Sequence, residues 1–190
     1  RTQCKNNLKQ VGLALQNYHN AARVFPPGYI GADATDPLNT APGWGWAAML
    51  LPYLDQSPVF NACNFDLPME HPANTTAARQ HIQVFMCPTD TMAGVCDVLD
   101  ESGRLLAMEF GTNSYAASFG SWGEIGEIPD MSNGLFWRNS QVRVRDIVDG
   151  TSRTIAIGER PAALTQTPWA GAVAYGVARV TAGAPVQTDD

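Results

Sequence analysis

The chain has 190 residues, with 12 Lys+Arg against 18 Asp+Glu and a formal net charge of −6. One domain of roughly 100–200 residues accounts for this length, and 45 % hydrophobic against 16 % charged residues excludes an intrinsically disordered chain. The longest apolar run, residues 46–51, is far short of the ~20 residues that cross a bilayer, and an acidic chain without a Lys/Arg run lacks the clustered cations that bind nucleic acid.

Residues 4–23 carry the clearest periodicity. Cys4, Leu8, Val11, Leu15, Tyr18 and Ala22 recur at alternating spacings of four and three, one apolar stripe along an α-helix, while Lys5, Lys9, Gln16 and Asn20 fall off it. Phe25-Pro26-Pro27-Gly28 ends the helix, because the residue before a proline avoids helical geometry. No capping residue precedes the stripe, so the helix is expected to begin upstream of Arg1. Arg1, Lys5, Lys9 and Arg23 give this segment four cations and no acid, whereas residues 97–130 hold seven carboxylates against Arg104. A basic start suits either a solvated helix face or attraction to anionic lipid or an acidic partner.

Residues 28–45 read as a glycine- and proline-rich loop, and 46–54 as a short helix disturbed at Pro52. Ser57-Pro58 opens a further helical turn, and Asn74-Thr75 caps a helix to about His81. Residues 82–86 read as a strand closed by Cys87-Pro88-Thr89-Asp90. Further strands are expected over 114–119, 134–138, 153–158 and 172–181, with Asn133-Gly134 and Asp149-Gly150 as turns. Helices early and strands late predict an α+β fold with an antiparallel sheet.

Cys4, Cys63, Cys87 and Cys96 lack the paired spacing of a zinc site. Cys4 with Cys87 and Cys63 with Cys96 is the preferred pairing in an oxidising compartment, Cys87 with Cys96 is a competitor, and free buried thiols are the alternative. His71 and His81 stand ten positions apart in no metal-ligand pattern, Gly120-Ser121-Trp122-Gly123 misses the nucleophile-elbow pattern, and no glycine motif for phosphate follows a strand. These observations predict neither a catalytic set nor a required cofactor. Asp97, Asp100 and Glu101 are candidates for a calcium ion, with solvated acids as the competing reading. Asp146 is expected to cap a helix before the Asp149-Gly150 turn. Trp44, Trp46 and Trp122 are candidates for a ligand platform, since sugar faces stack on aromatic rings, and Asn74-Thr75-Thr76 is a glycosylation triplet.

Several segments taken together resemble a large bacterial family of pseudopilin-like proteins with a prepilin-type cleavage and methylation motif and a domain of unassigned function. They are Arg1-Thr2-Gln3-Cys4-Lys5-Asn6-Asn7-Leu8-Lys9-Gln10, Phe25-Pro26-Pro27-Gly28, Leu50-Leu51-Pro52-Tyr53-Leu54-Asp55-Gln56 and Phe85-Met86-Cys87-Pro88-Thr89-Asp90. Gly134-Leu135-Phe136-Trp137-Arg138-Asn139-Ser140 and Ile147-Val148-Asp149-Gly150-Thr151-Ser152-Arg153-Thr154-Ile155-Ala156-Ile157-Gly158-Glu159 complete the series. The resemblance implies a pilin-like fold, with residues 1–24 as the second half of the pilin helix and 25–190 as a single globular part whose sheet receives the stripe of Leu8, Val11, Leu15 and Tyr18. It also implies a non-enzymatic subunit of a type II secretion (general-secretion-G-like) or type IV pilus-like assembly. Its partners would be other pilin-like subunits or secretion proteins, with an inner-membrane anchor upstream and an exported head. Family members end in a histidine-glycine-glycine segment and an aspartate-glycine-serine strand, and neither follows Ala172. The competing readings are an exported glycan- or polymer-binding module and a hydrolase centred on His71 and His81.

Overall fold

The apolar stripe folds as α1, Thr2–Ala22, in a computed structural model that describes residues 1–32, 35–91, 94–121, 129–162 and 164–177. Cys4, Asn7, Val11, Ala14 and Leu15 are buried, Leu8 and Tyr18 half-buried, and Lys5, Lys9, Gln16 and Asn20 exposed. Ala22 is exposed rather than buried, because the helix is leaving the head at its last turn. Arg23 ends α1 in the left-handed region, its N–H donating to the His19 carbonyl at 2.7 Å. Phe25 then plugs the exit, buried, with its ring 4.9 Å from that of His19.

The expected loop 28–45 holds β1 (Tyr29–Gly31) and β2 (Pro42–Gly45), paired antiparallel. Asn139 extends this pair with its side chain: Nδ2 donates to the Gly31 carbonyl at 2.7 Å and Oδ1 accepts from the Gly31 N–H at 3.1 Å. The 46–54 helix divides at Pro52 into α2 (Trp46–Leu50) and a 3-10 turn, Leu51–Tyr53. Ser57-Pro58 opens α3 (Ser57–Ala62), and α4 is shorter than expected, Thr75–Ala78. Asn74 does not cap it; the buried carboxamide instead donates to the carbonyls of Asn64 and Pro68 and accepts from the Asn64 N–H. The segment expected as a strand at 82–86 is a 3-10 turn, Gln83–Phe85.

β3 (Val95–Leu99) and β4 (Leu105–Gly111) form a hairpin around the calcium candidates Asp97, Asp100 and Glu101, where no strand is expected. β5 (Tyr115–Ala117), inside the segment expected as a strand at 114–119, pairs with β6 (Ile157–Glu159), which overlaps the one expected at 153–158 only in its last two residues; 153–156 are turn and coil. Residues 134–138 make only an isolated bridge, Arg138 to Tyr29, and 172–177 only a bridge from Val177 to Leu99; residues 178–181 of that expected strand lie outside the described residues.

The architecture is α+β and pilin-like, a long N-terminal helix against antiparallel strands. The sheet is divided into two-stranded ladders linked by bridges such as Trp44 to Gly171 and Thr112 to Pro168. The stripe of α1 therefore meets α2, both 3-10 turns and β6 rather than one broad sheet face. Val11, Leu15, Leu50, Leu51, Phe85, Tyr115 and Trp169 share one core, where each large apolar side chain contributes about 1.5–3 kcal/mol relative to exposure.

Candidate functional site

Two places concentrate chemistry. The first is the junction of α1 with the head. Cys4 and Cys87 form a disulfide closing a sequence separation of 83. One turn along α1, Asn7 donates through Nδ2 to the Met86 carbonyl at 2.9 Å and accepts from the Gln3 side chain. The Tyr115 hydroxyl donates to the Cys4 carbonyl at 3.3 Å, and burial raises its pKa. The Thr89 hydroxyl lies 3.0 Å and a Glu159 carboxylate oxygen 3.1 Å from the Cys87 sulfur. Cys4, Cys87 and Glu159 are close enough to resemble a metal-ligand set, but the sulfurs are bonded to one another and have no thiolate to offer.

The second place is a cavity of about 210 Å³ between β1, β5, the start of α2 and residues 167–172. Its walls include Trp46, Tyr115, Phe119, Phe136 and Trp169, and Arg160 enters from the residue after β6. Neighbouring strand residues point to opposite sides, which sends Glu159 toward the disulfide and Arg160 into the cavity. One guanidinium nitrogen of Arg160 donates to the Thr167 hydroxyl at 2.5 Å, while Nε is enclosed without a hydrogen-bond partner. None of the ion pairs among the described residues includes Arg160, and burial lowers its pKa.

The residues singled out in the sequence are scattered. Trp44 is sealed in the core, its ring tilted against Phe65 and its indole N–H donating to the Leu67 carbonyl, so it offers no platform. Trp46 lines the cavity, and Trp122 lies outside the described residues. The Cys63–Cys96 bridge does not form: Cys63 ends α3 and Cys96 sits in β3, both as buried free thiols, and Cys87 is taken by Cys4. Asp97, Asp100 and Glu101 do not converge as an ion site. Asp97 accepts the Glu109 N–H, and Asp100 is engaged by Ser102 and Arg104 in the hairpin turn, which holds its pKa low. Asp146 sits at the third position of a 3-10 turn, reaching back to the Arg143 N–H, rather than at its cap. His71 uses Nδ1 to accept the Ala73 N–H, and the His81 side chain is exposed. Asn74 is fully buried, which puts its glycosylation triplet out of reach. Sequence reasoning missed Arg160, a cation in no motif; its only signal was its place directly after the strand segment Ile157-Gly158-Glu159.

Among the described residues no helix is long and apolar enough to cross a membrane. Residues 1–187 match the family described as "Protein of unknown function (DUF1559)", and the chain belongs to that family. No curated protein and no solved structure matches it.

Proposed function

We propose that this member of the DUF1559 family is the exported head of a pseudopilin-like subunit, a non-enzymatic part of a type II secretion or type IV pilus-like assembly. The observation that carries the reading is the two-faced helix. The inner face of α1 is fixed to the head by Cys4–Cys87, Asn7 and the buried Val11 and Leu15. Its outer face presents Lys5 and Lys9 and a Leu13 that is 57 % exposed, a surface able to meet another subunit or anionic headgroups. In such an assembly a helix bundle supplies the apolar association energy and the heads set register through polar contacts.

The reading requires an apolar segment upstream of α1 that holds the subunit at the inner membrane, with the head in the periplasm or outside the cell. A disulfide fits such an oxidising compartment. The test is to express the chain with its native upstream sequence beside a prepilin peptidase. The expected result is a processed product in the membrane or filament fraction, and Lys5→Glu with Lys9→Glu should reduce its recovery there. A native upstream sequence without an apolar helix, or an unprocessed and wholly soluble product, overturns the proposal.

A further inference from the structure

We infer that the cavity around Arg160 is a binding site for a small monocarboxylate with a flat apolar body, its carboxylate held by the guanidinium and its body by the rings of Trp46, Phe136 and Trp169. This inference goes beyond the assembly reading and does not depend on it.

Charge comes first. A guanidinium drawn out of water without a counter-ion is unfavourable, and protein chains normally pair such a group. Arg138, which is fully buried, follows that rule by pairing with Asp130, whereas Arg160 is half-buried with its Nε enclosed. Among the described residues Arg160 has no such ion pair: its side-chain partner there is the neutral Thr167 hydroxyl, and Nε–H stays unpaired. The carboxylate nearest in sequence, Glu159, faces the disulfide. A guanidinium offers parallel N–H groups in a planar fork, a geometry that a carboxylate matches with two oxygens.

Size and lining select the rest of the ligand. The volume of about 210 Å³ lies below the roughly 300–1,000 Å³ of sites for larger ligands, so it admits one ring-sized body. Trp46, Phe85, Phe136 and Trp169 form a chain of ring contacts, with centroids 6.0 to 6.4 Å apart, that braces the wall. Its side-chain polar groups besides Arg160 are few, and two of their oxygens are engaged: Asn113 Oδ1 accepts the Tyr115 N–H, and the Thr167 hydroxyl accepts from Arg160. An oligosaccharide would bring many hydroxyls to few free partners, whereas an apolar acid needs one charged contact.

The experiment titrates the whole chain with phenylacetate and with its neutral counterpart phenylacetamide, reading intrinsic tryptophan fluorescence. Saturable binding of phenylacetate at least tenfold tighter than phenylacetamide is expected. Arg160→Gln should remove that tenfold preference while leaving phenylacetamide affinity within about twofold, since a tenfold ratio corresponds to about 1.4 kcal/mol. Should the variant fail to fold, the acid-to-amide ratio on the unaltered protein decides alone. Equal binding of acid and amide, no saturation by about 10 mM phenylacetate, or an acid preference that survives Arg160→Gln each overturns the inference.

Discussion

Asn7 donates its side-chain N–H to the Met86 carbonyl at 2.9 Å, and the next residue along the chain is Cys87, bonded to Cys4 one helical turn before Asn7. A covalent bond and a partly buried hydrogen bond thus hold adjacent turns of α1 to consecutive residues of the head. The two constraints differ in kind. The disulfide limits the unfolded chain, while the carboxamide satisfies the backbone where the 3-10 turn Gln83–Phe85 ends.

Replacing Asn7 by Leu should therefore destabilise the fold despite the gain in apolarity. The Met86 carbonyl would lose its partner within a partly buried contact, at a cost of about 1 kcal/mol or more. Urea denaturation checks this through a lowered midpoint at unchanged slope. A midpoint equal to that of the unaltered chain would show that the carbonyl finds another donor.

The disulfide closes a long loop, for which chain entropy gives about 4–5 kcal/mol. Cys4→Ala with Cys87→Ala should lose about 2–5 kcal/mol, and reductant should destabilise the unaltered protein but not the double variant. The two free thiols behave differently. Burial pushes Cys63 up to about 11 and Cys96 up to about 12. At neutral pH both are protonated and enclosed, so iodoacetamide should modify neither in the native protein and both in denaturant. Rapid native labelling of either at neutral pH would contradict their burial.

The parts legible in the sequence are those governed by a local period. The stripe from Cys4 to Tyr18 predicted α1 because apolar residues spaced by three and four have one way to share a face. Asn7 was invisible to that criterion, since a polar residue on an apolar face gains its meaning from a carbonyl 79 positions away. Residues 82–86 have strand composition, yet Asn7 takes the carbonyls of Gln83 and Met86, and the segment tightens into a turn. The β3–β4 hairpin was obscured because Asp97, Asp100 and Glu101 suggested ions. The inward alternation of Cys96 and Val98 carried the strand signal. The cavity was the least legible element: Trp46, Arg160 and Trp169 belong to three segments, joined only by tertiary packing.

Gly43 and Gly171 face one another so closely that neither has room for a side chain. A Cβ on Gly43 would stand 2.0 Å from the Ala172 carbonyl oxygen, and one on Gly171 would stand 2.0 Å from that of Gly43. Both have positive φ, +80° and +146°. Gly43→Ala and Gly171→Ala should each destabilise by at least about 2 kcal/mol, combining backbone strain with overpacking. Gly12 is the counter-case: it is exposed inside α1 with nothing within 4 Å of its Cβ position. Gly12→Ala should stabilise by about 0.5–1 kcal/mol. Thermal melts of the three variants give the comparison, and a lowered Tm for Gly12→Ala would mean that its outer face is occupied.

Two carboxylates impose opposite pH dependences. Burial raises the pKa of Glu70 above its ordinary 4.5, with Oε2 enclosed and unpartnered. The folded state then binds more protons than the unfolded one, so stability falls as pH rises from 4.5 through the raised value. Asp130 is the reverse. Its hydrogen bonds to the Arg138 guanidinium lower its pKa from 3.8, so its contribution is present above that value and is lost as pH falls through the folded pKa. Urea midpoints measured from about pH 3 to about pH 8 should separate the two. Glu70→Gln should flatten the decline on the upper side of pH 4.5 and leave the acid limb intact. Asp130→Asn should flatten the acid limb while lowering the whole curve, because the buried Arg138 then loses a charged partner. If Glu70→Gln reproduced the unaltered profile, the enclosed oxygen would have to be hydrated in solution, and the upper-limb decline would belong to another group.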